Sequence, residues 1–355
     1  MILEQSFTEI FGRAPTADGS APGRVNLIGE HTDYNGGAVL PAALPCRVHV
    51  AFAPNGTAIT AIKSTRFDGK VERPVGDRKR GDWTDYAMGA LRKAESLGWI
   101  AGGIDLLIES NVPDGAGVSS SAALITAILR AASETADAAV SAIDIAKIAR
   151  AVENDYIGMP CGIMDQMAVG LAKPGTALAL NTSNLSYDII DIPKSWSFVT
   201  IHSGIRRELA DGRYKARFEE CRMASEQLAT ETLCLLDQRQ IRAINDLPDN
   251  LRKRARHVTS EHGRTVEASQ AMRAADFDTF ATLMNESHRS YSRDFEASTP
   301  QIDALVEDAI KTGAKGARLT GGGFGGCIVL LIESGNERAW AEGFLTRHPT
   351  TWRVS

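Results

Sequence analysis

The chain has 355 residues, 43% of them hydrophobic, and a formal net charge of −5. One hydrophobic core rarely grows beyond roughly 250–300 residues, so this length admits two domains. The acidic balance gives no electrostatic ground for a nucleic-acid or anionic-membrane partner, and no apolar run approaches the roughly 18 residues a membrane span needs.

In chain order, Met1 to Gln5 show no basic region followed by an apolar stretch, so no secretory leader is expected. The run Ala21-Pro-Gly-Arg-Val-Asn-Leu-Ile-Gly-Glu-His-Thr-Asp-Tyr-Asn-Gly-Gly37 is too polar to be core. It sets Arg24, Glu30, His31 and Asp33 with two amides between glycines, and such groups are costly to bury without partners. A sugar, whose hydroxyls both donate and accept, would satisfy Glu30, His31, Asp33 and Asn35 together. Alternation at Val48, Val50 and Phe52, and again at Ile104, Leu106 and Ile108, predicts two half-buried strands. The basic runs Arg78-Lys79-Arg80 and Leu251 to Arg256 read as solvated loop or helix face. Trp83 and Tyr86, three apart, read by pattern alone as core residues of a helix.

Pro113-Asp-Gly-Ala-Gly-Val-Ser-Ser-Ser-Ala123 places two glycines and three serines where a loop becomes a helix. Such an entry suits either a simple cap or a phosphate site, where free N–H groups and the helix dipole meet an anion. It is not a Walker A loop, and G-x-G-x-x-G fails at Ser120, which excludes the dinucleotide fingerprint. A helix is predicted from Ile143 to Ile157, with Ser141 and Asp144 at capping-box spacing and Gly158 and Pro160 ending it. Asp165, in the apolar run after Cys161, is either a helix cap or a charge put to use. Strands are predicted near 176–180, 197–201, 317–320 and 327–332, and long amphipathic helices from Arg213 to Ala275. Five cysteines without C-x-x-C spacing suggest free thiols in a reducing compartment, hence the cytoplasm, and the histidines have no metal-ligand spacing.

The first run resembles the sugar-binding signature of galactokinases, a branch of the GHMP family of small-molecule kinases. Pro113 to Ala123 resembles that family's second motif, with Val118 for the usual Leu, and Gly316 to Cys327 resembles its third. Cys161 to Met167 is similar to the Cys-Gly-Ile-Met-Asp-Gln-Phe element, and Trp83 to Gly89 to its W-x-x-Y-x-x-G element. Ser287-His288 and Asp294 to Ser298 are also similar, as structural stretches. The likeness covers Phe11 to about Ile332.

It implies an α+β, two-domain GHMP kinase fold, residues 1–190 and 191–355, with the active site in the cleft between them. It implies ATP as co-substrate, Mg2+, and a small sugar, galactose first, phosphorylated on its anomeric hydroxyl. Asp165 would face that hydroxyl with Arg24 beside it, while Glu30, His31, Asp33, Gly162 and Tyr214 contact the sugar. Gly115, Gly117, Ser119, Ser120 and Ser121 would wrap the phosphates, Trp83 and Tyr86 would help form the adenine pocket, and Ser121 and Glu153 would hold the metal. Departures at Ile125, at Asn181 to Leu185 and at His202 to Arg213 keep galacturonate, L-arabinose and N-acetylgalactosamine as alternative acceptors. Arg206, Arg207 and Arg213 would be the cations for a carboxylated sugar. A non-catalytic sugar and ATP sensor is the remaining alternative, opposed by the intact Ser119 to Ala123, Arg24 and Asp165.

Overall fold

Strands and helices mix without strict alternation in the computed structural model, which describes residues 2–206 and 212–355, with side chains from Leu3 onward. Contacts divide the chain into two interleaved units, not at a single point near residue 190. The first comprises the chain to Gly23, Leu44–Val112 and Ser119–Leu171; the second comprises Arg24–Ala43, Pro113–Val118 and Ala172–Ser355. Arg207 and the rest of 207–211 lie outside the described residues.

In the first unit both predicted strands form and pair antiparallel, Val50 opposite Ile108 and Phe52 opposite Leu106. Ile59–Ser64 joins Ile104–Ser110 in parallel and takes Lys70–Pro74 on its other side. Phe7 packs with Ala51, Ala53 and Leu107 on this sheet. Helices Thr84–Ser96, Ser120–Thr135, Ala142–Ala151 and Met164–Leu171 pack on one another, their small residues letting the backbones approach. Gly89 is one such place, because a Cβ there would lie 2.6 Å from the Tyr156 ring.

The helix predicted to Ile157 is capped by Ser141, whose hydroxyl accepts the Asp144 N–H at 3.1 Å. Its α-helical part ends at Ala151, and Val152–Ile157 is wound as a π-turn closed by Gly158 at φ 81°. A single π-turn at the end of an α-helix is a recurrent feature of functional sites.

The second unit holds a four-stranded antiparallel sheet, ordered Gly316–Leu319, Cys327–Glu333, Trp196–His202 and Trp352–Arg353. Val199, Ile201, Ile328 and Leu330 meet Leu251, Val258, Tyr291 and Phe295 in its core. The expected helical run from Arg213 is interrupted: helices Arg213–Gln227 and Asp249–Arg273 are separated by short turns and the six-residue helix Gln238–Ala243. The basic run at its start is corrected as well. Arg254 is 2% exposed, bonded to Glu220, Glu296 and the Asp294 carbonyl, so the run is not a solvated face throughout. Among the described residues, no helix is long and apolar enough to cross a membrane, and all five cysteines are free.

Candidate active site

The polar run starts in the strand Ala17–Asn26 and, within the second unit, leaves it in a tight turn. Gly29, His31 and Gly36 take φ values of 104°, 62° and 71°, and a Cβ on Gly29 would stand 2.7 Å from the Ala38 carbonyl oxygen. Glu30 is 2% exposed, and its Oε1 accepts from Arg318 Nη1 at 3.1 Å and the Gly321 N–H at 2.9 Å. Thr320 Oγ1 lies 3.1 Å from the same oxygen and 2.8 Å from the Asn26 carbonyl.

His31 has both ring nitrogens engaged, Nδ1 by the Tyr34 hydroxyl at 2.7 Å and Nε2 by the Tyr291 hydroxyl at 3.0 Å. The Tyr291 hydroxyl donates its own proton to the Gly321 carbonyl at 2.7 Å. It can therefore only accept from His31, so Nε2 carries a proton. The His31 ring also lies 4.2 Å from Phe295 and 5.4 Å from Tyr214, centroid to centroid. Asp33 opens a short 3-10 turn and is half-buried, as is Tyr214 at the start of its helix.

Arg24, 3% exposed, donates from Nη1 to the Gly117 carbonyl at 2.7 Å, and its main-chain N–H reaches Val118 O at 3.1 Å. The polar turn and the glycine loop are thus fastened together. Gly115 and Gly117 adopt φ values of 68° and 73° with open space where a Cβ would be. The third glycine run also presses on this loop. A Cβ on Gly321 would stand 3.2 Å from Gly117 O, and one on Gly326 3.0 Å from Ala116 O.

In the first unit, Ser119 takes a left-handed conformation, φ 64°, at the start of Ser120–Thr135. Its hydroxyl makes no capping bond and is buried without a hydrogen-bond partner, so the simple cap is not what this serine provides. A non-glycine residue there costs about 1–2 kcal/mol, the kind of strain concentrated at functional sites. Ser120 and Ser121 open the helix, and Ser121 Oγ donates to Glu153 Oε1 at 2.7 Å. Glu153, 8% exposed, stands on the π-turn, and Gln166 Nε2 donates to its other oxygen, leaving Gln166 Oε1 buried and unpartnered.

Asp165 sits half-buried inside the first turn of Met164–Leu171 and not at its cap, where the helix dipole favours an anion. Gly162 is buried just before it. Trp83 immediately precedes Thr84–Ser96 and stacks on Phe67 with centroids 4.7 Å apart. Tyr86, on that helix, has its phenol pushed up by burial and then by the charges of Glu153 and Asp85. Arg73, fully buried, bonds Thr84 and Asp85 and so anchors the helix start.

The structure therefore brings Arg24, Glu30, His31, Asp33, Gly115, Gly117 and Tyr214 into one unit and Trp83, Tyr86, Ser119, Ser120, Ser121, Glu153, Gly162 and Asp165 into the other. Sequence reasoning missed Glu261, Tyr291, Arg318 and Thr320 around the turn, and Phe67 and Gln166 elsewhere. Arg318 and Thr320 stood inside the third glycine run, where the glycines drew the attention. Glu261 carried no local signal.

Family comparisons agree with these motifs. Residues 5–54 match the galactokinase galactose-binding signature, residues 85–173 the GHMP kinases N terminal domain and residues 268–347 the GHMP kinases C terminal. Curated galactokinases of Exiguobacterium sibiricum and Streptococcus mutans are each 37% identical, covering 93% of this chain and 88% of theirs. The crystal structure of Lactococcus lactis galactokinase complexed with galactose superimposes with a TM-score of 0.92 at 30% identity, covering 99% of this chain and 96% of that one. Methanococcus jannaschii mevalonate kinase, 17% identical with a TM-score of 0.70 over 95% of this chain and 96% of its own, shares the fold.

Proposed function

Because this chain belongs to the galactokinase family of GHMP kinases, we propose that the residues placed above transfer the γ-phosphoryl group of ATP to the anomeric hydroxyl of galactose, giving galactose 1-phosphate and ADP. The observation that carries this reading is the bond from Arg24 to the Gly117 carbonyl, which fastens the sugar signature to the phosphate loop. The sugar signature and the glycines of the phosphate loop are then held in one unit, and transfer between their ligands depends on such positioning.

The sugar is held by Glu30, Asp33 and Tyr214, with Gly162 allowing close approach. His31 acts through the phenols of Tyr34 and Tyr291 that its ring joins. Asp165 accepts the hydrogen bond of the C1 hydroxyl and takes its proton as the new O–P bond forms and the bond from γ-phosphorus to the β,γ-bridging oxygen breaks. Arg24, permanently charged, balances charge spreading over the phosphoryl oxygens.

Gly115, Gly117 and the serines 119–121 receive the phosphates, and the Phe67–Trp83 stack with Tyr86 offers aromatic surface to adenine. Ser121 and Glu153 fit Mg2+: both present hard oxygens already in contact, and the orphaned Gln166 Oε1 beside them suits a water of its shell. When bound, the metal neutralises charge on the nucleotide phosphates. The five free thiols match a reducing cytoplasm.

Replacing Asp165 by Ala tests the assignment, read as ADP release with galactose. Near-normal turnover in that variant would remove Asp165 from the mechanism.

A further inference from the structure

Behind the Gly29–Glu30 turn, on helix Asp249–Arg273, lies a carboxylate that no motif includes. Glu261 is fully buried, and its Oε1 accepts from the Gly29 N–H at 2.9 Å, the Glu30 N–H at 3.4 Å and Ser287 Oγ at 2.6 Å. Its Oε2 accepts from Arg264 Nε at 2.9 Å. Arg318, also fully buried, stands between two carboxylates, 3.1 Å from Glu30 Oε1 and 3.7 Å from Glu261 Oε1, and donates from Nε to Ser287 Oγ at 3.0 Å. The result is a row of alternating charge, Glu30, Arg318, Glu261, Arg264.

Burying three of these charges, with Arg264 half-buried at the end of the row, is costly, and buried ion pairs are weak contributors to stability compared with apolar packing. Their best-attested use is to impose one register on a structure. Here the register imposed is that of Glu30. Its N–H is held by Glu261 directly, its carboxylate by Arg318, and its carbonyl by His257 Nε2 at 3.2 Å from the same helix. The Glu261 carboxyl is held down to about 2: burial opposes ionisation, but Arg318, His257 and Arg264 outweigh it, with Ser287.

We infer that Glu261 is a positioning residue for sugar recognition, setting the main chain of Gly29–Glu30 and, through Arg318, the place of the Glu30 carboxylate. It touches neither substrate. The inference rests on the reading that Glu30 binds the sugar, and the two fail separately. E30Q alone tests that reading, which stands if the KM for galactose rises and falls if it does not.

For the inference, E261Q keeps the side-chain shape and an acceptor for the turn, but removes the charge that draws Arg318 and Arg264 inward. Steady-state kinetics with galactose and ATP varied separately should show the KM for galactose raised roughly tenfold, with that for ATP within about twofold. In the double variant E30Q/E261Q, the loss in kcat/KM for galactose should stay within about twofold of E30Q alone, since both act at one carboxylate. S287A, which deletes one bond to Glu261 and one to Arg318, should shift the galactose KM in the same sense by a smaller factor and serves if E261Q does not fold. Equal increases in both KM values, an unchanged galactose KM, or multiplicative losses in the double variant would each overturn the proposal.

Discussion

Asp165 illustrates what one side chain is asked to supply. A positioned base contributes about 10²–10⁴-fold to a proton-transfer step, so Asp165→Ala should lower kcat by at least ~10²-fold. Its KM for galactose should move far less if, as proposed, Glu30, Asp33 and Tyr214 hold the sugar. Rates with galactose at saturating ATP check both halves of that expectation. Arg24, Glu30 and Asp165 were legible in the sequence because each is a polar residue in a segment whose other residues explain themselves. Arg318 was not: its bond to Glu30 spans 288 positions, and only folding brings the two together. The same holds for Glu261, a lone acid among helical polar residues that reads as solvent-exposed until its burial is seen. His31 falls between the two cases. The sequence marked it as functional, but only the Tyr291 bond to Gly321 reveals that its Nε2 carries a proton.

At the scale of elements, the three glycine-bearing segments act as one device in which backbone approaches backbone. A Cβ on Gly326, at φ 87°, would stand 3.0 Å from the Ala116 carbonyl oxygen, close enough that the loop must yield. Gly326→Ala adds left-handed strain of about 1–2 kcal/mol and pushes on the phosphate loop. The KM for ATP should then rise by roughly tenfold or more while that for galactose changes little, a split that separate titration of the two substrates measures. An equal rise in both would mean that the hairpin supports the fold generally instead of the loop. Pattern reading found these segments, and also the strands at 48–52 and 104–108, because alternation and glycine spacing are local signals. It extended the helix after Ser141 as α-helix to Ile157, where the chain is π-wound from Val152. Periodicity cannot register one residue wedged into a turn, yet this residue spacing is what carries Glu153. The break between Gln227 and Asp249 was missed because its short turns, Leu233–Leu235 and Ile244–Asp246 among them, mix apolar and polar residues as an amphipathic helix does.

For the whole molecule, the α+β class was legible, and the two-domain GHMP fold followed from motifs in order along the chain. The division into compact units was not, since Arg24–Ala43 and Pro113–Val118 group with residues that follow 171. A boundary drawn along the sequence cannot express such an exchange of segments. Buried titratable groups then make stability depend on acid in two stages. His257 and His202 are held neutral, burial first lowering both to about 4 from an ordinary 6.5. Between those values the unfolded chain binds protons that the folded one refuses, so stability falls as pH drops from 6.5 towards 4. Glu261 and Asp303 are lowered to about 2 despite burial, by Arg318 and its neighbours and by hydrogen bonds from His288, Ser298 and Ser292. Their contribution is complete above their ordinary values near 4 and is lost as pH falls towards 2. Urea midpoints should therefore decline from pH 7 to 5 and again below 4.5, whereas a flat midpoint over the first interval would mean that the two histidines are protonated in the folded state.

The most direct test is the identity of the product when galactose and MgATP are incubated with the protein and followed by phosphorus NMR. The account predicts a sugar phosphate whose phosphorus couples to the anomeric proton, formed with equimolar ADP, and formed faster than from galacturonate, L-arabinose or N-acetylgalactosamine. Phosphate on another carbon, or no transfer to galactose while one of the other sugars is turned over, would contradict it.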